Sequence, residues 1–132
     1  MQGSLLAVDP LTNKIYVANS GSNSLSMIDS DSGNVTNIPV EASPTHVAVS
    51  SLTSKIYVAN SFSRTVSVIN GYKEISRIPV GTFPSFIAIS SRGLAEKEKI
   101  YVANSGSNTV SVINSSSDKV IVQYLLEKIL VL

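Results

Sequence analysis

The chain has 132 residues, 43% of them hydrophobic and 14% charged, with a formal net charge of +1; this is the length of one domain and apolar enough to fold, which excludes wholesale disorder. Ten Lys and Arg residues are scattered among nine acids, so no basic stripe exists for a nucleic-acid backbone, and nucleic acid is not an expected partner. Cysteine is absent, which excludes a disulfide framework, thiolate metal sites and a Cys nucleophile.

Leu5 to Val8 reads as a strand stopped by the turn signal Asp9-Pro10. With Met1-Gln2-Gly3-Ser4 before it, this stretch lacks a basic leader and is too short for a signal peptide or a membrane span. The turn Leu11-Thr12-Asn13 leads into Lys14-Ile15-Tyr16-Val17-Ala18-Asn19, and the same six residues return at 55–60 and 99–104. Self-similarity at a period of roughly 40 residues marks an array of equal units. The first strands of the later units are His46 to Ser50 and Phe86 to Ser90, and Ala7, Ala48 and Ala88 fall in register, as suits strands that approach closely. In the hexapeptide Ile15 and Val17 face one side and Tyr16 and Ala18 the other. Neither side is polar, so each sheet needs cover on both faces.

Ser20-Gly21-Ser22-Asn23 and Ser105-Gly106-Ser107-Asn108 read as turns in which glycine supplies positive φ, while the second unit carries Phe62 at that position. Phe62 is read as a tolerated loop substitution, with an exposed contact residue as the alternative. Third strands follow at Ser24 to Ile28, Thr65 to Ile69 and Thr109 to Ile113. The fourth, Asn34 to Ile38 and Glu74 to Ile78, are the most polar and lead into Pro-Val, as expected of an outer edge. The links Glu41-Ala42-Ser43-Pro44 and Gly81-Thr82-Phe83-Pro84 return the chain to the next unit. In the third unit the loop at 92–98 is longer, and its acids and bases are expected to face solvent. From Val120 the repeat decays, and residues 122–132 form an irregular apolar tail, either a short helix or an extended outer strand.

Four antiparallel strands per unit, repeated and apolar on both faces, indicate an all-β chain of β-propeller blades rather than an open sandwich. Three blades are expected, at 1–40, 41–80 and 81–121. Propellers have four to eight blades, so the ring is incomplete. A second copy closing a six-blade ring, or further blades of a longer chain of which this is a fragment, would complete it.

Tyr-Val-Ala-Asn at 16–19, 57–60 and 101–104 resembles the repeat of the YVTN family of β-propellers, with alanine in place of threonine in every copy. Ser105 to Ile113 resembles the family's turn and third strand, and Ile78-Pro79-Val80-Gly81 with Pro84 resembles its blade link. The match covers residues 5 to 121. The resemblance implies a scaffold or interaction surface outside the cytoplasm, extracellular, cell-surface or periplasmic, as in archaeal surface-layer and secreted bacterial proteins. Related propellers include lactone hydrolases, but their converging acids and histidines have no counterpart here.

No catalytic, cofactor-binding or metal-binding residue is therefore assigned. His46 is read as a rim residue satisfied by backbone or water rather than as a general base. Asp29 and Asp31, with Ser30, Ser32 and Asn34, have the oxygen-rich composition of a calcium loop, but the closing Glu is missing and a plain turn is the reading. Tyr16, Tyr57 and Tyr101 are read as interblade packing residues, and Asn19, Asn60 and Asn104 as ties to the adjoining turns. Asn34-Val35-Thr36 and Asn114-Ser115-Ser116 match the glycosylation acceptor pattern. The expected function is a non-catalytic structural or protein-binding module. It would recognise itself, a cell-surface protein or a glycan through the links at 41–44 and 81–84, the turns at 20–23, 61–64 and 105–108, and the loop at 92–98. The alternative is a fragment of a lactonase-like hydrolase whose catalytic residues lie in other blades.

Overall fold

In a computed structural model, residues 5–91 and 98–126 are described. Three sheets follow one another, each built in the order in which its strands occur. The first contains β1 (Leu6–Asp9), β2 (Lys14–Asn19), β3 (Ser24–Asp29) and β4 (Val35–Pro39). The second contains β5 (Pro44–Val49), β6 (Ile56–Asn60), β7 (Thr65–Asn70) and β8 (Lys73–Pro79). The third contains β9 (Pro84–Ser90), β10 (Lys99–Asn104), β11 (Thr109–Asn114) and β12 (Lys119–Leu125). All strand pairs are antiparallel. Neighbouring sheets meet chiefly through their first and second strands, and the fourth strands diverge toward the rim. The arrangement is three successive blades of an incomplete propeller.

The register explains the recurring alanines. Ala7, Ala48 and Ala88 stand directly opposite Tyr16, Tyr57 and Tyr101 on the neighbouring strand. Opposed residues share a face, so a small side chain leaves room for the ring beside it. Each blade thus has a tyrosine face and, on the reverse, an Ile/Val face. Tyr16, Leu25 and Met27 pack on Ile56, Val58 and Ile69 of the second blade. Tyr57, Val66 and Val68 repeat that contact on Ile87, Ile100 and Val102 of the third. The middle strand β6 is accordingly buried along its whole length.

Several expectations need correction. Gly21 and Gly106 do not carry the left-handed conformation; Asn23, Arg64 and Asn108 do, with φ of 57°, 56° and 53°. Gly106 is needed for space, because a Cβ there would lie 2.8 Å from Thr82 Cγ2 and 3.0 Å from Thr82 O. Glu98, assigned to the solvent-facing loop, is only 1% exposed. Its Oε2 accepts from Ser50 Oγ at 2.6 Å, joining two blades. The rest of that loop, 92–97, lies outside the described residues, as does 127–132 of the tail. Of the two forms left open for the tail, residues 122–125 take the strand, as the end of β12. Tyr101 departs from its two counterparts: it is 37% exposed, against 4% for Tyr16 and 0% for Tyr57. Among the described residues no further sheet packs on its face.

Candidate functional site

Antiparallel pairing sends every second connection to the same end of the sheets. The turns β2–β3, β6–β7 and β10–β11 and both blade links therefore gather at one end, since Pro44 lies opposite Asn60 and Pro84 opposite Asn104. Five of the six expected recognition segments share this end. The sixth leaves from the other, where Ser90 pairs with Lys99.

The links are fastened to the turns of the blade they enter. Phe62 N donates to Ala42 O and Ser61 N to Ser43 O; one blade on, Gly106 N donates to Thr82 O and Ser105 N to Phe83 O. Side chains add to this: Ser63 Oγ accepts from Ala42 N at 2.8 Å, Ser107 Oγ from Thr82 N at 3.1 Å, and Ser61 Oγ donates to Pro84 O at 2.7 Å. These backbone groups of both links are thereby satisfied within the fold.

A groove of about 540 Å³ opens there between the first turn, the first link and the second. Phe62 and Phe83 form one wall, their ring centroids 5.8 Å apart and tilted by 47°. Ser20, Asn23, Ser43 and Thr45 supply the polar part of the lining. Phe62 is 72% exposed, which fits both a tolerated loop substitution and a contact residue.

The other candidates are tied into the fold. His46 Nδ1 accepts from Ile87 N at 3.3 Å and its ring lies 4.4 Å from that of Phe86. Burial holds its pKa below the ordinary 6.5, so the neutral ring is a strut between two first strands. Asp29 Oδ1 accepts from Asp31 N at 3.0 Å, and Asn114 Oδ1 plays the same part for Ser116 N at 2.8 Å. Both are turn caps. Among the described residues no three acidic or histidine side chains converge in a way that could hold a metal. At the opposite end of the sheets, burial and then the charges of Asp118 and Glu98 push the Tyr57 phenol far up, keeping it neutral. Lys55 Nζ reaches across to Asp118 at 3.2 Å and to Ser115 O at 2.8 Å.

No family model matches the chain, and no curated protein matches it. Solved structures do. A chain of the Kuenenia stuttgartiensis hydrazine synthase is similar to it with 30% identity and a TM-score of 0.81, over 90% of this chain and 34% of that one. A streptogramin B lyase is similar with 16% identity and a TM-score of 0.76, over 92% and 39%. Apo AztD from Citrobacter koseri is similar with 17% identity and a TM-score of 0.75, over 92% and 34%. The likeness is one of propeller-like fold. The chain spans about a third of the length of these proteins.

In a propeller each blade is covered by its neighbours, and among the described residues two faces have no such cover. At the third blade the tyrosine face is exposed at Phe86, Tyr101 and Tyr124. At the first, the Ile/Val face is exposed at Leu6, Val8 and Val35. The two faces are of opposite type, the same pair that meets twice inside the chain. No helix among the described residues is long and apolar enough to cross a membrane.

Proposed function

We propose that the chain is a non-catalytic structural module of the YVTN type that works outside the cytoplasm, at a cell surface or in the periplasm. It binds a second copy of itself, end face to end face, and holds its loop end outward as a recognition surface. The observation that carries this reading is the exposed tyrosine face of the third blade, matched by the exposed Ile/Val face of the first. Two identical head-to-tail contacts between two copies close a six-blade ring.

A polar contact supports the same pairing. Lys14 of the first blade lies 5.1 Å over the Tyr72 ring of the second, and Lys55 of the second reaches Asp118 of the third. Both lysines cross to the β3–β4 type of turn in the next blade. Lys99 holds that position in the third blade, and the turn that a second copy brings to it carries Asp29 and Asp31.

Reversing charges tests the pairing. Lys99→Glu and Asp31→Lys should each weaken self-association, and the double variant should recover it, as read from light-scattering mass across a dilution series. Single variants that associate like the parent chain would contradict the head-to-tail contact.

A further inference from the structure

We propose that the groove walled by Phe62 and Phe83 binds a sugar ring of a neutral oligosaccharide. The inference rests on the reading of the loop end as the recognition surface and gives its ligand a chemical class.

Both phenylalanines depart from the repeat in which they sit. The position of Phe62 is Gly21 in the first blade and Gly106 in the third, and the position of Phe83 is Ser43 in the previous link. Neither ring is needed to build a turn that the other units build without one. Phe83 holds φ at 53°, as Ser43 does at 55° in the previous link, so the left-handed conformation belongs to the link and does not call for a ring. Two separate departures have placed rings in contact at one groove. Exposed rings that the fold does not use are what a binding wall requires.

The rest of the lining selects the ligand. It carries no charged side chain: Ser20, Asn23, Ser43 and Thr45 stand beside the rings. A phosphate, a carboxylate or a basic peptide would find no counter-charge there. A strand-like peptide would find no ladder either, because the N–H groups of Ala42, Ser43 and Phe62 are already donated within the loops. Hydroxyl and amide groups remain. Ser20 Oγ is shut from solvent and Thr45 Oγ1 is paired with Ser61 Oγ, which leaves the Ser43 hydroxyl and the Asn23 Nδ2 for a ligand; Asn23 Oδ1 accepts from Ser43 N at 2.9 Å and so orients the carboxamide. A neutral sugar matches this set: its C–H face lies on an aromatic ring, and its hydroxyls exchange hydrogen bonds with hydroxyls and amides.

The test is titration of the full 132-residue chain with cellotetraose, chitotetraose, mannotetraose and a galactotetraose, following the phenylalanine ring protons by NMR and the heat of binding. At least one should shift the Phe62 and Phe83 ring signals. Phe62→Ala should weaken that binding about tenfold, with the thermal unfolding midpoint unchanged. Phe62→Gly, which restores the residue of the other two turns, should do the same. No shift with any of the four at millimolar concentration, or binding that survives both variants, overturns the proposal. The sugars are recovered afterwards and their chain lengths measured. Intact tetrasaccharide fits both readings, whereas bound but shortened sugar keeps the groove assignment and overturns the non-catalytic reading instead.

Discussion

Asn60 donates from Nδ2 to Thr65 Oγ1 at 3.1 Å and to Ser67 Oγ at 2.9 Å, and Asn104 and Asn19 make the same pair of bonds to Thr109 and Ser111 and to Ser24 and Ser26. The carboxamide stitches strand end, turn and next strand together in every blade. Because Asn60 and Ser67 are fully buried, removing the donor strands a hydroxyl away from water. Asn60→Ala should therefore cost about 2–3 kcal/mol, and Asn19→Ala, at a half-buried site, about 1 kcal/mol; urea unfolding midpoints of the two variants check the ranking. His46 gives a pH dependence of known sign. Its folded pKa is lowered from 6.5 by burial, so the folded state binds fewer protons than the unfolded chain below that pH. The stability that the neutral ring contributes is present above pH 6.5 and lost as pH falls toward the lowered value. His46→Gln keeps an acceptor for Ile87 N and does not titrate, so its unfolding midpoint should fall less between pH 7 and pH 5 than that of the parent chain.

At the scale of the element, glycine shows what links and turns demand of each other. A Cβ at Gly106 would press on the backbone and side chain of Thr82, whereas at Gly21 it would meet nothing within 4 Å. Gly106→Ala should cost about 1–3 kcal/mol and Gly21→Ala should be neutral or slightly stabilising, by thermal unfolding of each. The hexapeptide and its alternation made the second strands legible in the sequence, and so did the alanines opposite the tyrosines, because period-two patterning reports directly on which faces are covered. The turns were less legible. The left-handed residue is Asn or Arg two positions after Gly21, Phe62 or Gly106, since Asn tolerates that conformation, and of the two glycines only Gly106 answers to a link packed against it. Strand β12 was legible only as one of two forms, because Val-Ile-Val and Tyr-Leu lack the polarity expected of a rim strand. Most of the groove was hidden. Phe62 stood out as a break in the repeat, but nothing local says that the next link will bring Phe83 to it.

The whole molecule is governed by its two bare faces. Inside the chain, the contact of a tyrosine face with an Ile/Val face is made twice and buries Tyr16 and Tyr57, while Tyr101 has no such cover among the described residues. At about 25 cal/mol per Å² of apolar surface, a few hundred Å² left wet at each end forfeits several kcal/mol, comparable with the net stability of an ordinary domain. On the proposed pairing, closing the ring would recover that term at both ends at once and would make association and folding stability one linked equilibrium. Sedimentation equilibrium of the chain across a concentration series tests this most directly. The account predicts a species of twice the 14.0 kDa monomer mass that dissociates on dilution, with the unfolding midpoint falling as it does. A monomer that stays soluble and unfolds cooperatively with the same midpoint at every concentration would contradict it.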